Sequence, residues 1–137
     1  MNKICHAGAV TVICLMFVLL TACSMKRGDT DGKDIDFTVV ENSEIPEELK
    51  SIIDEQKEKP FRLTYGTKDY LYICVGYGKM DTGGYSISVD KLYLTDDAIY
   101  VDTNLIGPSK GESVTDTSTT PFIVIKTEYY DQTVMFE

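Results

Sequence analysis

The run Tyr70 to Gly76, YLYICVG, puts Leu71, Ile73 and Val75 on one side of an extended chain and Tyr70, Tyr72 and Cys74 on the other. Side chains of a strand alternate between faces, so a strand that is apolar on both belongs in the middle of a sheet covered twice. The neighbouring segments supply strands to flank it. Phe61, Leu63 and Tyr65 alternate, and Gly66-Thr67-Lys68-Asp69 provides a turn into Tyr70. Beyond a glycine-bearing loop, Tyr85, Ile87 and Val89 share one face, but Leu92 and Leu94 fall on the opposite parity. Either a bulge near Asp90-Lys91 resets the phase or the strand buries different faces at its two ends. Thr95-Asp96-Asp97 then turns the chain, and Ile99, Val101, Thr103 and Leu105 alternate along a strand predicted to form an antiparallel hairpin with its predecessor.

On either side of this centre the pattern is simpler. Ile35, Phe37 and Val39 alternate with Asp36 and Thr38, the period of one half-buried strand over Ile35 to Glu41. Pro46 suits a first helical turn, Glu47 and Glu48 follow where the helix dipole favours acids, and Pro60 stops the run. Ile45, Leu49, Ile52, Ile53 and Gln56 mark one narrow stripe at helical spacing, so the helix docks through that stripe. Pro121 to Lys126 and Thr133 to Phe136 read as two last strands across a turn near Tyr130-Asp131. The expected fold is mainly β: an antiparallel sandwich or partly closed barrel of about seven strands, with one N-terminal helix packed on it.

The N-terminus carries a different kind of signal. A basic start is followed by an uncharged apolar run from Ala7 to Leu20. At about 14 residues that run is short for a bilayer span, which needs about 20, and it has the form of a secretory signal. Leu20, Thr21, Ala22 and Cys23 then resemble the lipobox of bacterial lipoproteins. The resemblance implies a signal peptide over 1–22 and a Cys23 that receives diacylglycerol and acyl chains such as palmitate. Ser24 to Asp34 is polar, glycine-bearing and aperiodic, which makes 23–34 a lipidated flexible tether ahead of a single β-rich domain over 35–137, and the resemblance implies that this domain is held at a bacterial cell membrane, facing the extracytoplasmic side.

Removal of the signal would take Cys5, Cys14 and His6 with it, leaving Cys74 as the lone unmodified thiol and no histidine at all. Ser-His-Asp and Cys-His machinery and histidine metal sites then have no residues to use. The expectation is a non-enzyme without metal or cofactor. The chain's formal charge is −9, and Lys3 is the only base ahead of Cys23. So acidic a balance disfavours nucleic acid and anionic head groups as partners, which leaves the lipid to hold the protein to the membrane. Asp29, Asp31, Asp34 and Asp36 are closely spaced, but with Gly32 fourth and Val40 twelfth they lack the order of an EF-hand loop, and a solvated tether accounts for them. Asp96 and Asp97 read as turn residues, and Gly107 to Thr120 as a long polar loop, mobile or functional.

The candidate site lies in the loop that ends in Gly83-Gly84-Tyr85: Tyr77, Met80, Asp81, Thr82, Gly83, Gly84 and Tyr85. The paired glycines either take positive φ or admit a close neighbour, and the tyrosines and Met80 either pack on the sheet or anchor an interface. The segment CVGYGKMDTGGYSISV at 74–89, Gly107-Pro108 and TPFIVI at 120–125 together resemble the C-terminal domain of the protease complex subunit PrcB family, over roughly 70–127. That resemblance implies a small lipoprotein that supports a surface protease complex without being the protease, and it brings no catalytic residues. A second likeness is to chagasin-like cysteine-protease inhibitors, through Lys79 to Tyr85 and Thr120-Pro121-Phe122. Here the Asn-Pro that opens the inhibitor loop is absent, and Thr120 stands in place of an Arg. The expected partners are therefore the membrane, through the lipid, and an extracytoplasmic protein, with a protease complex first in line.

Overall fold

Alternating strands from Pro60 onward build two facing sheets, and the computed structural model describes them within residues 32–137. Leu20, Thr21, Ala22, Cys23 and most of the tether lie outside the described residues. The strands are β1 (Lys33–Asp34), β2 (Thr38–Val39), β3 (Pro60–Gly66), β4 (Tyr70–Tyr77), β5 (Ser86–Leu94), β6 (Ala98–Ile106), β7 (Phe122–Glu128) and β8 (Thr133–Phe136). Sheet A has the order β1-β5-β6-β8 and sheet B the order β2-β7-β4-β3, so the architecture is a sandwich and not a closed barrel. The described strands number eight, one more than expected.

β4 is the twice-covered strand that its composition demands. Its inner face gives Leu71, Ile73 and Val75 to a core shared with Leu92, Ile99, Val101, Ile123 and Ile125. Its outer face gives Tyr72 and Cys74 to a second cluster under the helix α1 (Glu47–Gln56), with Leu49, Ile53, Phe61 and Val124. Pro46 caps α1 without a side-chain hydrogen bond, and the Lys57 N–H closes its last turn on the Ile53 carbonyl at 2.8 Å. Ile45, Leu49 and Ile53 are buried as the stripe predicts, Ile52 is half-buried, and Gln56 at the stripe's end is exposed. The Tyr65 hydroxyl donates to the Glu48 carboxylate at 2.8 Å and ties α1 to β3; that bond pushes the tyrosine's pKa upward.

The phase conflict in β5 is resolved by a bulge. The register with β6 slips between Val89 and Lys91, which returns Ile87 and Val89 to the same core-facing side as Leu92 and Leu94. β5 and β6 pair antiparallel from Ser86↔Ile106 to Leu94↔Ile99.

The two ends of the described chain correct the expected antiparallel order. Ile35 to Glu41 is not one strand: β1 pairs with Leu94 and Tyr93 of sheet A, and β2 pairs with Ile125 and Lys126 of sheet B. The segment between crosses from one sheet to the other, burying Ile35 and Val40 while leaving Phe37 and Val39 exposed. At the other end β7 lies antiparallel to β4 in sheet B, whereas β8 lies parallel to β6 in sheet A. The chain from Glu128 to Thr133 therefore changes sheets, and these last two strands do not pair with each other.

Candidate partner-binding site

Two loops leave the same end of the sandwich, one between β4 and β5 and one between β6 and β7. The structure pairs them. The Met80 N–H donates to the Thr119 carbonyl at 2.8 Å and the Thr119 N–H returns to the Met80 carbonyl at 3.0 Å, forming an isolated antiparallel bridge. The Gly83 N–H reaches the Thr115 carbonyl at 3.1 Å, and the Thr119 hydroxyl donates to the Thr82 carbonyl at 2.7 Å. Gly107 to Thr120 is thus a partner to the first loop along part of its length, an arrangement that its polar composition does not reveal.

The paired glycines realise both of their options, one each. Gly84 has φ +86°, the left-handed region that side chains resist, and Val114 and Pro108 pack against it. Gly83 is buried, and a Cβ there would meet the Thr115 hydroxyl oxygen at 2.6 Å. Tyr85 is half-buried beside Gly107, and Met80 and Thr82 are half-buried where the loops join. Asp81 is exposed at the tip.

Tyr77 sits apart from these six. It is the last residue of β4, packed against the inner core, with its hydroxyl 2.7 Å from that of Thr103 on β6. Its ring lines a cavity of about 360 Å³ with Val75, Val101 and Phe136. The Tyr77 N–H also bonds the Pro121 carbonyl at 3.0 Å, fixing Thr120-Pro121-Phe122 beside the first loop. Thr115, Thr119 and Val114, absent from the sequence-based site, hold the composite together; their Ser/Thr-rich surroundings carry no periodic signal.

Residues 71–128 match the PrcB C-terminal family model. The PrcB C-terminal match runs from β4 to the end of β7, taking in both loops, and agrees to one residue at each end with the segment whose motifs resemble that family. Among curated proteins and among solved structures, no significant match to the chain was found.

Within this matched segment the chemistry is subdued. Cys74 is fully buried under α1, and burial pushes its thiol up to about 12 from an ordinary value near 9.0. Raised this way, the thiol favours the folded state while it stays protonated, so its contribution is full below about pH 9 and is lost as pH climbs toward 12. We expect Cys74 to resist iodoacetamide in the native protein at pH 8 and to react on denaturation; rapid native labelling would show that the cluster under α1 opens. Asp96 and Asp97 are exposed at the β5–β6 turn, at the opposite end of the hairpin from the loops. Among the described residues, no group of three or more His, Cys, Asp or Glu side chains is placed to hold a metal ion.

Proposed function

We propose that the protein is a non-catalytic, lipid-anchored accessory subunit that supports an extracytoplasmic protein complex, most naturally a protease complex, through the composite of its 78–85 and 107–120 loops. The observation that carries this reading is the backbone bonding between Met80, Gly83, Thr115 and Thr119. Loops held to each other before a partner arrives lose less conformational freedom on binding, the ordinary advantage of a preorganised interface. The PrcB C-terminal match covers both loops and supports the same partner class.

Cross-linking in intact membranes followed by purification tests the proposal. A specific extracytoplasmic partner should be recovered with the wild-type chain and lost with Met80→Ala/Tyr85→Ala, both sites being half-buried rather than core. Recovery indifferent to that double change would refute the loop assignment. Anchoring is a separate expectation, carried by Leu20-Thr21-Ala22-Cys23. Cys23→Ala should leave the precursor unprocessed or release the domain, because stable attachment depends on acyl chains. Normal membrane retention without lipid would refute it.

A second reading, direct inhibition of a papain-like protease, is favoured by one specific arrangement: Pro121 is bonded to Tyr77, which brings Thr120-Pro121-Phe122 alongside the 78–85 loop. Under that reading the purified protein slows such an enzyme at stoichiometric ratio. No inhibition across a panel of cysteine proteases eliminates it.

A further inference from the structure

Sheet A is incompletely edged. β1 pairs only with Leu94 and Tyr93, and the Ile35 N–H adds one bond to the Leu92 carbonyl at 3.2 Å before the chain crosses to sheet B. On the side of β5 away from β6, Ser86 to Asp90 has no pairing strand among the described residues. Along a strand, residues facing the same side of the sheet turn their N–H and C=O groups in the same lateral direction. Leu92 faces the core and turns its carbonyl to the β1 side. The bulge between Val89 and Lys91 returns Ile87 and Val89 to the core-facing set, so their N–H and C=O groups also turn to the open side. The bulge also ends the open stretch, limiting it to the start of β5.

Beside this edge is a concavity of about 520 Å³ whose lining includes Asp34, Ile35, Phe37, Val89 and Asp90. Phe37 is 42% exposed and Val89 half-buried, so the floor offers apolar surface next to open backbone groups. The rim is acidic. Asp34 and Asp90 line it and make no ion pair among the described residues, and Asp90 accepts only the Ser88 hydroxyl, at 2.7 Å. Lys91 also lines the concavity, but its charge is offset by the Glu137 carboxylate 3.7 Å away.

We propose that this edge takes an extended, basic segment of a partner polypeptide, added as a strand to β5 through the backbone of Ile87 and Val89. An apolar side chain of the segment lies over Phe37 and Val89, and lysine or arginine on either side of it faces Asp34 and Asp90. Strand addition of this kind draws affinity from main-chain hydrogen bonds and specificity from alternate side chains. Charge selects the occupant. A second copy of this chain, of formal charge −9, would bring the same carboxylates against their own kind, whereas a basic segment complements them. This surface is separate from the loop composite and does not depend on the function proposed for it.

The test uses the full-length protein and a blocked synthetic peptide of alternating valine and lysine, read by amide hydrogen exchange and by titration. Ile87 and Val89 amides should exchange quickly in the free protein and slow when the peptide is added. The same peptide N-methylated along one edge should bind about tenfold more weakly, the effect of losing one or two hydrogen bonds. A glutamate-for-lysine version should not bind. Ile87→Pro removes a donor from the open side without touching the ladder to β6, and should weaken binding to a similar degree. Unchanged exchange protection in β4 and β7 reports that this variant is folded; if it is not, the N-methylated peptide still decides. Binding without protection of Ile87 and Val89, equal binding by the N-methylated peptide, or no binding overturns the proposal. So does protection that rises with protein concentration alone, since a second copy would then fill the edge.

Discussion

Ile73→Ala is expected to lower the free energy of unfolding by about 2–5 kcal/mol, the range for removing a large aliphatic side chain from a core that cannot collapse around the gap. Ile73 has no exposed surface and stands in the middle of β4, between Ile125 on β7 and Thr64 on β3. Thr64 occupies the same row of the sheet and the same face, yet on the edge strand it is exposed. Thr64→Ala should therefore change stability by no more than about 0.5 kcal/mol. Urea denaturation of the two variants measures the contrast. Comparable small losses at both positions would mean that the inner face of β4 is not packed as described.

Gly84→Ala is expected to break the loop composite while sparing the sandwich. An alanine held at φ +86° costs about 1–2 kcal/mol through the left-handed backbone alone. Its Cβ would also lie 2.5 Å from Val114 Cγ1 and 3.0 Å from Pro108 Cβ, so the Val114 and Pro108 side chains of the second loop must give way. Gly111 provides the control, with φ +84° and nothing within 4 Å of a Cβ. Both variants pay for backbone strain, but only Gly84→Ala should lose slow exchange at the Gly83 and Thr119 amides and lose cross-linking to the partner. Equal behaviour of the two variants would show that contact between the loops does not organise the surface.

The parts of the fold that were legible in the sequence are those written in local periodicity. The two-sided apolarity of Tyr70 to Gly76 announced a strand covered on both faces, and the parity break between Val89 and Leu92 announced either a bulge or a change of buried face, of which the structure has the bulge. The errors lie where a short segment serves two layers. Ile35, Phe37 and Val39 alternate as a strand does, but two-residue pairings on different sheets leave Phe37 and Val39 exposed, and alternation cannot tell these arrangements apart. The parallel placement of β8 on β6 was illegible for a related reason: a strand's own pattern fixes which face is buried, not the direction of its neighbour. In the candidate site, the glycines marked where the backbone does something unusual. The residues that make use of it, Thr115 and Thr119, belong to a stretch with no periodic signal, joined to Gly83, Met80 and Thr82 through bonds that no spacing in the sequence marks.

The pairing of β1 with the far end of β5 gives the domain a polarity. Lys33 lies opposite Leu94, whereas the 78–85 loop enters the strand at Ser86, eight residues earlier. At about 3.3 Å per residue this separates the tether's point of entry from the loop end by roughly 26 Å. If Cys23 carries the proposed lipid, the tether joins the domain at the pole opposite the loop composite. Attachment at one pole then leaves the other free, so the proposed partner surface and the proposed anchor would not compete for the same end of the sandwich.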